Sequence, residues 1–335
     1  MRKLYIYIIL ITGASRIANA QDIHFSQYNY SPLNYSPATT GLFDGDIRAN
    51  TFYRNQWNSV TIPYKTFGLA YDQVLGTPSA SGARHSAGAL INSDRAGDGN
   101  FGTLQLLLSY AQLFPVNSDS IHFLSAGIQA GFNYRSLDFN KLTFDNQFTG
   151  DVFNPSAPTN ESFDRTSYIY PDLNAGISWL GNFDNTTANA GFSVQHIIKP
   201  DQTFLNESNG LPMRFQVNAG AWLFKKDKIS LYPSVIYLMQ SEFRELTGGA
   251  EVKFNMQKES VRNRALSLGI HYRSEDAIIP SIAVYYDQWR IGLSYDVNIS
   301  DLDAVSRKRG GPEFNVTYVM KKIRYIKPKN ICPVY

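Results

Sequence analysis

Ser120–Arg135 reads SIHFLSAGIQAGFNYR, and its alternation decides the fold. One set of alternate residues is Leu124, Ala126, Ile128, Ala130, Phe132 and Tyr134. The other is Ser125, Gly127, Gln129, Gly131, Asn133 and Arg135. Successive side chains of a strand point to opposite faces, so this segment makes a strand with one apolar wall and one small, polar wall. The period recurs. Leu104, Leu106, Leu108 and Tyr110 oppose Thr103, Gln105 and Ser109, while Leu173, Ala175, Ile177 and Trp179 oppose Asp172, Asn174, Gly176 and Ser178. Leu266, Leu268, Ile270 and Tyr272 oppose Ser267, Gly269 and His271.

A soluble β-sandwich alternates too, so other features must choose between them. Tyr110, Tyr134, Trp179 and Tyr272 stand toward the ends of the apolar faces, where a membrane barrel carries its interfacial aromatics. The opposite face is rich in Gly, Ser, Asn and Gln, which suits a wet or plugged lumen. The chain has 21 Tyr, 21 Phe and 4 Trp but only 18% charged residues. After Ile11 no apolar run approaches the roughly 20 residues that a membrane-crossing helix needs. An all-β, transmembrane antiparallel β-barrel accounts for these features together.

Fourteen strands are expected, near 46–57, 64–74, 84–93, 101–112, 120–136, 167–181, 187–198, 212–224, 228–240, 243–255, 263–273, 276–287, 289–298 and 312–322. An even number closes a barrel with both of its ends on one side, the periplasmic one, and puts the long connections outside. The long connections, near 137–166, 199–211 and 299–311, all leave odd-numbered strands. Those near 225–227 and 288, leaving even-numbered strands, are short.

The expected organisation has four parts. Residues 1–20 read as a secretory signal: Arg2 and Lys3, the apolar run Leu4 to Ile11, then Ala18-Asn19-Ala20 as the cleavage site. Arg2, Lys3 and Arg16 leave with it and no acid does, so the formal charge of +3 falls to zero. The basic pI therefore points to no nucleic-acid partner. Residues 21–45 form an N-terminal periplasmic or plug segment, since its prolines oppose helix and its aromatics oppose disorder. Residues 46–322 form the barrel, and 323–335 a basic periplasmic tail.

No catalytic, cofactor or metal site is expected. Gly97-Asp98-Gly99-Asn100-Phe101-Gly102 matches G-x-G-x-x-G, but a strand pattern follows it instead of the helix a dinucleotide needs. Its glycines suit an outward turn with positive φ. Asp94, Asp98 and Asn100 lack EF-hand spacing. His24, His85, His122, His196 and His271 lack the spacing of a zinc motif, and no G-x-S-x-G elbow occurs. The lone Cys332 can form no internal disulfide.

Motifs along the chain resemble those of the PorP/SprF family. They begin with Asp22-x-His24-Phe25-Ser26-Gln27-Tyr28 and Ser31-Pro32-Leu33-x-Tyr35-Ser36-Pro37-Ala38-x-x-Gly41, then Tyr53-Arg54-Asn55-Gln56-Trp57. Asp94–Gly99, His196-x-x-x-Pro200, Leu211-Pro212-x-Arg214-Phe215, Tyr272-Arg273, Ser294-Tyr295-Asp296, Glu313-Phe314 and Cys332-Pro333-x-Tyr335 follow in order. The family usually shows Asn-Pro where this chain has Ser31-Pro32 and Ser36-Pro37.

The resemblance implies a non-enzymatic outer-membrane component of the type IX secretion system. It would support export or anchoring of a secreted surface protein, a gliding adhesin in some members, through the cargo's C-terminal sorting domain. Partners implied are outer-membrane lipid, that sorting domain, and periplasmic ring and motor-linked proteins. The residues expected to meet partners are Phe25, Gln27, Tyr28, Pro32 and Pro37 in the N-terminal strip and Arg54, Gln56 and Trp57 at the first turn. Lys322 and Arg324 join them from the basic tail. The alternative is a porin-like barrel for small-solute uptake, which the polar lumen face allows.

Overall fold

A computed structural model describes residues 22–56, 62–76, 83–116, 121–150, 152–161, 163–204, 210–225, 228–258, 263–300 and 306–321. Its strands are β1 (Ile47–Gln56), β2 (Tyr64–Leu75), β3 (Arg84–Ala96), β4 (Phe101–Pro115), β5 (His122–Ser136), β6 (Phe148–Thr149), β7 (Val152–Phe153) and β8 (Ser167–Asn182). They continue with β9 (Thr187–Gln195), β10 (Arg214–Trp222), β11 (Ile229–Gln240), β12 (Phe243–Lys258), β13 (Asn263–Arg273), β14 (Ala277–Tyr286), β15 (Trp289–Asn298) and β16 (Arg309–Met320). All but β6 and β7 pair in sequence order, antiparallel, into a closed barrel of fourteen strands. The seam joins β1 to β16 with Arg54 opposite Glu313. Closure leaves no strand edge to face hydrocarbon, where each unsatisfied backbone group would cost several kcal/mol.

The alternation sorts inside from outside as expected. On β5, Leu124, Ile128, Phe132 and Tyr134 are exposed on the outer wall while Ser125, Gln129 and Asn133 are buried in the lumen. On β4 the outward residues run from Leu104 to Phe114. Ten residues at about 3.4 Å, tilted by roughly 40°, span about 26 Å, close to the apolar band of outer-membrane barrels.

The connections 137–166, 196–213 and 299–308 all lie at the end opposite Ile47 and Met320, called here the long-loop end. The opposite connections are at most eight residues long. Long loops face outward in such barrels, so the long-loop end is the outer one. In the first long loop, β6 and β7 form a small hairpin that the sequence pattern did not announce. Gly97 and Asn100 take φ of +65° and +45° in the turn between β3 and β4. That turn runs directly into a strand, so the G-x-G-x-x-G match is turn chemistry.

Several ends differ from expectation. The strands β3, β4 and β12 run on to Ala96, Pro115 and Lys258, and β16 starts early at Arg309. Both β9 and β10 are shorter than expected, at Thr187–Gln195 and Arg214–Trp222. His196 and Lys199 adopt φ of +57° and +45°, which breaks β9 before the apolar Ile197 and Ile198 can extend it.

Candidate functional site

Residues 22–45 pack inside the barrel. Prolines shape the path: Pro32 opens a single α-helical turn, Pro32–Tyr35, and Pro37 opens a 3-10 turn, Pro37–Thr39. Pro pre-sets φ for a first helical position, where its missing N–H has no partner to lose. Gly127 on β5 admits the second turn, since a Cβ there would lie 2.5 Å from the Pro37 backbone. Leu33, Tyr35 and Ala38 are almost fully buried.

This segment touches every one of the fourteen barrel strands. From β1 round to β4 the contacts are Phe25 with Phe52, Gly41 with Asp72, Asn34 with Asn92 and Thr40 with Ser109. Next come Ala38 with Ser125, Ser36 against Gly176, Tyr35 with Ser193 and Ile23 with Arg214. Tyr28 meets Ser234, and Tyr30 meets both Glu251 and Tyr285. Ser26 meets Arg273, Asp296 and Glu313, and Arg290 stacks on the Tyr30 ring 3.1 Å from its centre.

The densest chemistry lies toward the long-loop end. Glu313 accepts the backbone N–H groups of Ser26 and Gln27, one on each carboxylate oxygen, at 2.6 and 2.8 Å. The Ser26 hydroxyl donates to Asp296 at 2.7 Å and accepts from Arg273 at 2.6 Å. Arg54 donates to Asp296 at 2.7 Å and to the His24 carbonyl at 2.6 Å. Arg273 also pairs with Asp276 at 2.8 Å and lies 3.7 Å from Glu245. Each buried charge thus has a counter-charge and hydrogen bonds, the condition under which burial is tolerable.

A second cluster holds the tip. His196 donates through Nε2 to Asp22 at 2.7 Å and through Nδ1 to Asp172 at 2.9 Å. Burial alone would push this imidazole down, but Asp22 and Asp172 outweigh it and hold its pKa at about 9. The ring is therefore an imidazolium at neutral pH, donating from both nitrogens. Burial pushes the Asp22 carboxyl up, yet His196 and Arg214 hold it well below the usual carboxylate range. Burial and the nearby Arg54, Arg273 and Arg214 hold His24 well below the usual histidine range. Beside this cluster a cavity of about 10 Å³, bordered by Asp22, Asn34 and Gln129, has room for about one water.

Asp22 therefore sits at the end opposite Ile47. Both ends of the barrel emerge on the short-loop side, as the parity of the loops requires, but the segment before β1 climbs the lumen to the other side. Near its exit a collar holds it: Arg48 makes a bidentate pair with Asp72 at 2.9 and 2.8 Å and donates to the Thr39 carbonyl at 3.1 Å. Asp72 in turn accepts the Gly41 N–H at 2.7 Å.

Of the residues expected to meet partners, Phe25, Gln27, Tyr28, Pro37 and Arg54 are buried in this lumenal packing. Pro32 is half-buried, and Gln56 is half-buried at the outer end of β1 opposite Tyr64. Trp57, Lys322 and Arg324 lie outside the described residues. Sequence reasoning did not select Asp22, His196, Arg214, Arg273, Asp296 or Glu313 for the site. Charged residues at lumen-facing strand positions, such as Arg273, Asp296 and Glu313, were the available signal.

The arrangement holds a segment; among the described residues no group of three His, Cys, Asp or Glu is placed to bind a metal. A family model described as type IX secretion system membrane protein PorP/SprF matches residues 17–318 of the chain. No curated protein matches the sequence. Among solved structures, the toluene transporter TbuX of Ralstonia pickettii is similar at 10% identity and a TM-score of 0.50, over 86% of this chain and 92% of that one. The toluene transporter TodX of P. putida is similar at 10% identity and a TM-score of 0.50, over 87% and 93% of the two chains. At that identity the likeness is one of fold, an outer-membrane barrel.

Proposed function

This chain belongs to the PorP/SprF family of type IX secretion system membrane proteins, and from that membership we propose that it serves secretion as a plugged, non-enzymatic outer-membrane barrel. In this reading it supports export or surface anchoring of a secreted protein, a gliding adhesin being one such cargo. It does so by engaging the cargo's C-terminal sorting domain, with periplasmic ring and motor-linked proteins as its other partners. The observation that carries the reading is the family match over residues 17–318; the segment 22–45, which meets all fourteen strands, adds support against an open porin, whose lumen is a water-filled channel. A gentle-detergent pull-down of the tagged chain from its native host, read by mass spectrometry, tests it. Recovery of secretion-system proteins and a large surface protein is expected; recovery of neither overturns the proposal.

The fold likeness to two toluene transporters favours a second reading, uptake of small solutes. The two readings separate in planar bilayers. The intact barrel is expected to be nearly silent, and a chain lacking residues 22–45 to conduct ions. Steady conductance by the intact chain would favour uptake.

A further inference from the structure

On the outer wall, Lys65 and Arg95 stand side by side where the membrane meets water. Register gives the rows around this wall. One row at the long-loop end runs Tyr53, Phe67, Ser93, Leu104, Tyr134 and Ile169 across β1, β2, β3, β4, β5 and β8. It is apolar apart from Ser93, with two of its aromatics in the ring position of an interfacial girdle. Two residues further out the row becomes Asn55, Lys65, Arg95, Gly102, Ser136 and Ser167. The change from apolar to polar within about 7 Å of strand marks the level of the outer-leaflet headgroups.

In that polar row Lys65 and Arg95 stand directly opposite each other on neighbouring strands, and both are exposed. Like charges directly opposite repel, with Cβ atoms only about 5 Å apart. Among the described residues neither has an acid within ion-pair distance. Beside Arg95 an open groove of about 490 Å³ runs along the rim, bordered by Tyr134, Ser136, Asn140 and Ser167. Asp138 borders it too, but its carboxylate lies 3.6 Å from Lys141, a third cation at this rim. The groove thus offers an exposed guanidinium, hydroxyls and an amide, directly above the lipid-facing Leu104 and Phe132.

We propose that Lys65, Arg95 and this groove bind the phosphorylated headgroup of an outer-leaflet glycolipid, whose acyl chains run down the apolar wall below. A phosphate between the two cations relieves their repulsion. Arg95 supplies the planar fork that matches phosphate oxygens, and Lys65 a point charge. The groove takes the sugar, with Ser136, Ser167 and Asn140 as hydrogen-bonding partners. A free phosphate would satisfy the cations but leave the groove and the apolar wall unused, so the lipid is the occupant.

The test starts from barrels extracted from native outer membranes in mild detergent, with bound lipid A counted by mass spectrometry. Wild type is expected to retain about one lipid A per barrel, and the double variant Lys65→Ala/Arg95→Ala roughly tenfold less, the scale of losing two charge-assisted contacts. Arg244→Ala removes an exposed rim cation on β12, across the barrel, and should retain the wild-type amount. Equal retention by the double variant, or equal loss with Arg244→Ala, overturns the proposal. A second measurement needs no variant. Delipidated wild type should rebind lipid A but not enzymatically dephosphorylated lipid A, and millimolar inorganic phosphate should not strip it. Equal binding of the two lipids, or displacement by inorganic phosphate, would also overturn it.

Discussion

The two ends of the lumenal segment are held by different means. Near its exit, where residue 46 leads straight into β1, covalent connection does much of the holding. Arg48 and Asp72 close a collar round Thr39 and Gly41. At the far end, around Asp22, side-chain contacts do the holding, and that is where the buried charges concentrate. Arg54, Arg273, Asp296 and Glu313 grip Ser26 and Gln27, while His196, Asp172 and Arg214 grip Asp22 and Ile23. The contrast follows from chain entropy: residues next to the anchored start of β1 have less freedom left to lose than residues farther from it along the segment.

Breaking the tip lock should have the largest effect. Arg273→Ala leaves Asp296 and Glu245 short of a counter-charge, a loss of about 3–5 kcal/mol typical of severed buried pairs. Amide exchange at Ser26 and Gln27 should rise by at least roughly a hundredfold, while Gly41 keeps its protection. Arg48→Ala tests the collar. It should cost less, about 2–4 kcal/mol, since the chain beside it stays tethered. Exchange should then rise at Gly41 and not at Ser26. Equal exchange at both ends in either variant would erase the distinction between lock and collar.

The tip lock also predicts a pH dependence. His196 has its folded pKa raised to about 9, above the ordinary value near 6.5. Its contribution is complete below about pH 6.5 and fades as pH rises through 9, on the order of 3 kcal/mol in all. Asp22 is shifted the other way, so its contribution is present above its ordinary pKa and fades as pH falls into the acid range. A spin label near Asp22 should gain mobility above pH 9. His196→Gln should remove that transition, and its survival would assign the pH response elsewhere. The smallest effect is expected from Tyr30→Phe, which removes a hydrogen bond to Glu251 at 2.7 Å midway along the segment. A loss of about 1–2 kcal/mol, read as a modest rise in local exchange, would place this contact between collar and lock.

The strands were legible because a barrel wall is a two-sided solvent boundary, and Leu124 through Tyr134 could only alternate that way. Ends were less legible: Ile197 and Ile198 continue an apolar pattern past β9, but the backbone turns at His196 with positive φ. The lumenal segment was partly legible. Phe25 and Tyr28, with the two prolines, announced ordered, non-repetitive chain, and a plug was one of two readings. Its lock was not legible, because Arg54, Asp296 and Glu313 lie far apart in sequence and meet only through the register of β1, β15 and β16. The partner-facing choice of Phe25, Gln27 and Tyr28 followed their density of aromatic and polar groups, a signal that a packed plug and an exposed recognition strip share.

The seam between β1 and β16 has one more property. Arg54 and Glu313 are cross-strand partners there, and the same two side chains hold His24, Ser26 and Gln27. If the lumenal segment were missing, both oxygens of Glu313 would exchange the amides they accept for lumen water, with Arg54 still at 3.8 Å. The join between β1 and β16 is thus fitted to a lumen in which residues 24–27 are already in place. Closing the barrel on that segment gives the pairing of β1 with β16 two preset hydrogen bonds that an empty cylinder would lack.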